Sequence, residues 1–228
     1  MSLGHALDFS IVRKLQGNVL HLESVLFGMS HLLEVDDILD EYPIRLRQEF
    51  EFQENKFGLN KDAVQKPEFF KLRPPNFPTI RLSQLANLYV KQQNLFSEVI
   101  KASNAEAFYS IFEIAASPYW EDHFTFGTVS RKSKKKLTKK FIDLLLINTI
   151  LPLKFLHAKH HGKDIDEEIL KIISQLKAET NSIVSKFKNI KTTAANAKDS
   201  QAILQLYKEY CTKNRCLHCA VGSKLLGK

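Results

Sequence analysis

The chain is 228 residues long, with 33 lysines and arginines against 25 aspartates and glutamates, 44% hydrophobic residues, 8 glycines, 7 prolines and 3 cysteines. That composition excludes a disordered, collagen-like or disulfide-built protein, and a chain of this length buries a sufficient core without metal or covalent staples. The positive charge is unevenly placed: residues 1–66 hold 7 basic and 11 acidic residues, whereas residues 67–228 hold 26 and 14.

Apolar residues recur at helical spacing almost throughout, and strand-like alternation is scarce. The pattern predicts an all-α protein, an irregular multi-helix bundle over 1–228 with a possible subdivision near Arg131. Leu20, Val25, Leu26, Met29 and Leu33 share one side of a helix over about 18–33. Glu23 falls in the middle of that apolar stretch, so it is expected to be buried and paired with an arginine, Arg73 or Arg81. A second helix runs from near Tyr42 to Phe57, with Pro43 in its first turn and Gly58 closing it.

Residues 59–78 lose periodicity and gather prolines and phenylalanines, which predicts a long irregular but ordered loop pinned by Phe69, Phe70 and Phe77. Thr79 is a plausible N-cap for the next helix, whose stripe is Leu82, Leu85, Ala86 and Tyr89. Further helices are expected at about 94–102, 104–115, 137–158, 164–176, 178–189, 199–211 and 219–226, with Pro152 kinking or breaking the one over 137–158. The apolar stretch Phe141–Leu153 carries Asp143, Asn148 and Pro152 and is shorter than the ~18–20 apolar residues of a membrane span, so it reads as a buried helix. The aromatic stretch Tyr119–Phe126 is expected to be a loop anchored by Trp120 and His123 beneath the lysines that follow.

Three features carry chemistry. Arg131, Lys132, Lys134, Lys135, Lys136, Lys139 and Lys140 place seven positive charges in ten residues with no acidic one. Such a run attracts phosphates or acidic surfaces, and its plain alternative is a solvated loop. Arg73, Asn76, Arg81 and Gln84 surround a proline-fixed loop and a helix start and could present donors to an anion, or else bond internally. Cys211, Cys216 and Cys219 have the spacing of a thiolate cluster. A zinc site would need a fourth ligand such as His123, His157, His160 or His161, and an iron–sulfur cluster would keep one open iron. Buried reduced thiols or a redox pair are the alternatives. His157 and His161 lack the glutamate of a zinc-protease helix, and no nucleophile elbow or phosphate-cradling glycine loop occurs.

The segment Arg73-Pro-Pro-Asn-Phe-Pro-Thr-Ile-Arg-Leu-Ser-Gln-Leu-Ala86 resembles the signature of a bacterial family catalogued as domain of unknown function 2851. The resemblance extends to Glu23–Gly28, Tyr119-Trp120 with His123, Asn148, Pro152, Ser200–Ala202 and the three cysteines. It implies a helical C-terminal part of a longer protein whose N-terminal region has G-P-D-F and V-E-I-H elements, comparable to the acidic sites of restriction-type nucleases. Neither element occurs in this chain.

Together these readings lead to the expectation of a non-catalytic helical module, without a cofactor of its own, that binds an anionic partner such as nucleic acid or an acidic protein surface for a nuclease-like half. The alternatives are a structural or interaction domain and a metal protein built on the cysteines. No membrane association and a cytoplasmic location are expected, since the chain starts without a leader pattern and its odd number of cysteines suits a reducing compartment.

Overall fold

The structure is a computed structural model that describes residues 2–34, 40–189 and 193–225. Its contacts divide the chain into two units, Met1–Glu98 with Ile111–Thr138 and Val99–Ser110 with Lys139–Lys228.

In the first unit, side-chain caps decide where the early helices begin. After the single turn α1 (Leu3–Ala6), α2 (Phe9–Leu15) starts where Asp8 accepts from the Ser10 N–H, and α3 (Val19–Met29) where Asn18 accepts from the Leu20 N–H. Each cap satisfies a backbone donor that a helix start otherwise leaves free. Next, α4 (Glu41–Phe57) ends at Gly58, whose φ of 60° is left-handed and costs glycine little. Pro78 opens α5 (Pro78–Lys91), where its missing N–H is no loss, so Thr79 is not the expected cap: it lies inside the helix and its hydroxyl donates to the Phe124 carbonyl at 2.6 Å.

All residues of α3 from Leu22 to Met29 are buried, which makes it the axis of this unit. It packs between Leu46 and Phe50 of α4 on one side and Ile80, Ser83 and Ala86 of α5 on the other. The aromatic stretch forms a 3-10 turn at Pro118–Glu121 and a small antiparallel hairpin, β1 (His123–Thr125) and β2 (Thr128–Val129). Trp120 is fully buried there, with ring centroids 5.5 Å from Phe27 and 5.0 Å from Phe126.

The second unit is entered along α6 (Leu95–Lys101) and left again along α7 (Ala105–Ile111). It continues with α8 (Lys139–Leu145), a π-turn at Leu146–Ile150 and α9 (Leu151–His160) in one continuous helix, then α10 (Asp166–Gln175), α11 (Ser182–Asn189), α12 (Ala197–Leu206) and α13 (Ala220–Leu225). Among its most deeply buried apolar residues are Leu146, Leu151, Ile172, Leu176 and Ala197.

The protein is all-α: among the described residues only the hairpin and two isolated bridges are extended pairings. Several local expectations change. The first long helix stops at Met29, because Ser30 caps it and His31 turns left-handed with φ 57°. Pro152 does not break its helix, which runs on to His160. The π-turn immediately before it loosens the hydrogen-bond register at the place where proline lacks a donor. Phe69 and Phe77 pack edge to face at 5.0 Å, but Phe70 is 75% exposed and pins nothing. Leu226, the final residue of the last predicted helix, lies outside the described residues.

The helix Lys139–His160 is longer than its apolar centre suggested, and by length and composition it is long and apolar enough to cross a membrane. Its buried face nevertheless holds two charged residues with partners: Asp143 accepts from the Tyr109 hydroxyl at 2.6 Å, and Lys154 donates to the Ile100 carbonyl at 2.5 Å and meets Glu168 at 3.1 Å.

Contact between α3 and α4 is so close at Gly28 that a Cβ there would lie 2.2 Å from the Phe50 ring. Gly28→Ala is therefore expected to overpack this contact and destabilise the protein by about 1–3 kcal/mol. A lowered urea midpoint with an unchanged slope would show it, and an unaltered midpoint would mean that the ring moves aside freely.

Candidate functional site

A carboxylate placed in an apolar helix must find donors or take up a proton, and Glu23 finds three. It is 1% exposed. The Tyr42 hydroxyl from α4 and the Ser83 hydroxyl from α5 both donate to it, and the Ser117 hydroxyl donates at 2.7 Å. Ser83 in turn accepts from the Ser117 N–H at 2.9 Å, and Ser117 accepts from the Asn87 amide at 3.0 Å. Burial outweighs these donors and raises the Glu23 carboxyl above its ordinary value, while burial beside that carboxylate pushes the Tyr42 phenol well above the usual tyrosine range. The expected arginine partner is thus replaced by hydroxyls: neutral donors satisfy the oxygens without a second charge having to be desolvated.

Against this centre lies a stack in which Tyr119 sits between Tyr42 at 4.5 Å and His123 at 4.1 Å. The Tyr119 hydroxyl donates to Asp40 at 2.7 Å, and His123 Nδ1 is 2.7 Å from Asp122. His123 and Trp120 anchor the loop.

The four residues expected around the proline loop divide. Arg81 donates to the Asn76 side chain at 2.5 Å and to Gln84 Oε1 at 2.8 Å, and Gln84 passes its own amide to the Lys135 carbonyl at 2.9 Å. Arg73 is exposed and holds the turn through its carbonyl, which accepts from the Asn76 N–H at 2.7 Å. Asn76, Arg81 and Gln84 therefore form a chain of bonds that reaches the lysine run.

That run is an extended strap with a fixed backbone. Ser130 N–H donates to Asp122 O at 2.6 Å and Ser133 N–H to Glu121 O at 2.7 Å, while Lys135 O accepts from the Ala116 N–H at 3.0 Å and Leu137 N–H donates to Ile114 O at 3.0 Å. Arg131, Lys132, Lys134 and Lys136 are exposed. Lys135 is the exception to the expected exposure of the run: it is buried, donates to Glu121 O at 2.7 Å and lies 4.3 Å over the Phe124 ring. Desolvation lowers its pKa. The chain makes a tight turn at Lys135, where Lys136 N–H donates to Lys134 O at 3.0 Å, and the Lys135 side chain goes inward while those of Lys134 and Lys136 stay exposed. Lys139 and Lys140 begin α8 and belong to the second unit.

A family model described as a protein of unknown function, DUF2851, matches residues 1–182. The chain belongs to the DUF2851 family. No curated protein and no solved structure matches it. The DUF2851 segment contains the Glu23 centre, the arginine chain and the strap, whereas the three cysteines lie beyond it.

Those cysteines do not gather into the expected cluster. Cys211 ends a π-turn at Tyr207–Cys211, Cys216 opens a 3-10 turn at Cys216–His218, and Cys219 follows it; the first two are exposed and the third is buried. Among the described residues no group of three His, Cys, Asp or Glu side chains could hold a metal ion. His157 and His161 stack at 4.3 Å near the end of α9 without a third ligand in reach among those residues.

Sequence reasoning singled out Glu23 but missed Tyr42, Ser83 and Ser117. The one available signal was the need of a buried carboxylate for donors, which hydroxyls meet as well as guanidinium groups do.

Two tests follow from this geometry. With its folded pKa raised, Glu23 binds its proton more tightly in the folded state, so its contribution to stability is full below the ordinary value of 4.5 and is lost as pH rises through the folded value. Glu23→Gln should therefore gain urea midpoint relative to the parent as pH is raised above 4.5, and a difference that stays constant with pH would contradict the assignment. For the cysteines, native protein should show two thiols reacting rapidly with a disulfide reagent and one, Cys219, reacting only on unfolding. Equal rates for all three would refute the burial difference.

Proposed function

We propose that this chain is a non-catalytic helical module that binds a polyanion, nucleic acid in the first instance, through the exposed cations Arg131, Lys132, Lys134 and Lys136. The observation that carries this reading is the fixed, extended backbone of the strap. Its anchors at Ser130, Ser133, Lys135 and Leu137 leave the charged side chains outside. Lys132 and Lys134 stand at a two-residue offset, about 6.6 Å apart along an extended strand, and the tight turn at Lys135 brings Lys136 nearer to Lys134 than that. A solvated lysine loop pays conformational entropy on meeting its partner, whereas a backbone already held open has lost that freedom on folding.

Charge pairing within the unit leaves these side chains available. Lys132 approaches Glu121 only at 3.8 Å, and among the described residues Arg131, Lys134 and Lys136 form no ion pair. The contacts suit phosphates as positioning charges and give no means of reading bases, so binding is expected to be non-specific in sequence.

The second reading, an interaction domain without a charged ligand, is favoured by the exposed Leu153 and Leu156 on α9. Salt dependence separates the two. Each phosphate contact contributes about 0.9 to the slope of log K against log salt on duplex DNA and about 0.7 on single strands. Anisotropy with labelled duplex and single-stranded oligonucleotides between about 50 and 200 mM salt should give a steep slope for the parent. It should be shallower by about 3 for a variant with Arg131, Lys132, Lys134 and Lys136 all changed to Gln. Identical binding by parent and variant would defeat the proposal.

A further inference from the structure

The second unit contains a cleft of about 550 Å³ whose lining combines charge and apolar surface. One wall is the first two turns of the long helix, where Lys140, Asp143, Leu144 and Ile147 fall at i, i+3, i+4 and i+7 and so share a face, with Lys139 beside them. The other wall is the connection between α10 and α11, which brings Lys177 and Glu179. This connection is held in place: Glu179 N–H donates to Ser200 at 3.1 Å, the Leu176 carbonyl accepts from Ala197 N–H at 3.0 Å, and Asn181 caps α11 by accepting from Val184 N–H at 2.9 Å. Both walls therefore exist before any ligand arrives.

The distribution of partners inside the cleft is unusual. Its two carboxylates are bonded to neutral donors, Asp143 to the Tyr109 hydroxyl at 2.6 Å and Glu179 to the Gln201 amide. Its lysines are accordingly not consumed by them. Lys140 reaches only Thr180 Oγ1 at 3.4 Å, Lys139 lies 3.7 Å from exposed Glu106 and over the Tyr109 ring, and Lys177 forms no ion pair among the described residues. Asp143 is 6% exposed and keeps a second oxygen outside the Tyr109 bond.

Three lysines, the apolar side chains of Leu144 and Ile147, and carboxylates able to accept from a ligand line the cleft and define what fits. A dianionic phosphate suits several lysines better than a single carboxylate would. A flat apolar body covers the two aliphatic side chains, and hydroxyl or amino donors satisfy Asp143 and Glu179. A sugar phosphate lacks the apolar body, and a fatty acid lacks the donors. We propose that this cleft binds an organic phosphate of nucleoside monophosphate size, with its phosphate on Lys139, Lys140 and Lys177, its base against Leu144 and Ile147, and its donors toward Asp143. The volume lies within the range of small-ligand sites. The site shares no residue with the strap cations, so either proposal can fail without the other.

Calorimetric titration of the full chain with AMP, GMP, CMP and UMP tests it, with inorganic phosphate, the corresponding nucleosides and octanoate as comparison ligands. At least one nucleotide should saturate at one equivalent, and phosphate and nucleoside alone should each bind at least tenfold more weakly. Lys140→Ala with Lys177→Ala, both at exposed positions, should weaken that nucleotide at least tenfold while the urea midpoint stays at the parent value. Leu144→Glu should weaken it similarly, and the Gln variant of the strap should bind it as the parent does. Absence of saturable binding by all four nucleotides, tighter binding of octanoate than of any nucleotide, or an unchanged affinity in the double lysine variant would each overturn the assignment.

Discussion

A carboxyl group at the centre of the most buried helix is the constraint around which the first unit is arranged. Glu23 costs several kcal/mol to bury without partners, and the three hydroxyls that meet it come from α4, from α5 and from the turn before Trp120. Displacing any one of these elements leaves an oxygen or a hydroxyl stranded away from water. Apolar packing alone would tolerate small slips of α4 and α5 along α3, but directional bonds to one carboxylate do not. The close approach at Gly28 acts in the same direction by fixing the separation of α3 and α4 where the bonds fix their register.

Helix α5 connects this buried arrangement to the charged surface through two adjacent residues. Ser83 turns inward to Glu23, and Gln84 reaches the Lys135 carbonyl while accepting from Arg81. The strap is thus held from the same helix that satisfies the buried acid. This accounts for Arg81 in the first turn of α5: partly buried, and lowered in pKa by desolvation, it serves as a bracket between Asn76 and Gln84.

Where a local signal decided the structure, it could be read from the amino acids. Pro43 and Gly58 mark the ends of α4 by their own chemistry, and the ends lie close to them, whereas Thr79 offers the right side chain for a cap but comes too late, because Pro78 opens α5 ahead of it. Burial of Glu23 was legible from the apolar residues around it, but its partners were not, because they lie 19, 60 and 94 positions away and carry hydroxyls that nothing local sets apart. Within a run of lysines no pattern distinguishes the one that turns in. Lys135 is set apart only by Glu121 and Phe124, which the fold brings beneath it. Pro152 signals a break for a related reason: the π-turn through which the helix runs on past it leaves no local mark in the amino acids. The cleft at Lys140 and Lys177 joins segments that only the fold places side by side.

The path of the chain between its two units has a consequence for the order in which the protein can assemble on the ribosome. Residues 99–110 belong to the unit otherwise made of 139–228, yet they are synthesised between the two parts of the other unit. Ser117, the third donor to Glu23, therefore emerges only after that excursion, and the first unit cannot close on its buried acid until the chain has passed it. Until then α3 must wait with its carboxylate incompletely partnered, and α7 must wait longer still for the helices it packs with. A nascent chain halted between the two holds α3 against α4 and α5 with two of its three hydroxyls in place and the third still to come.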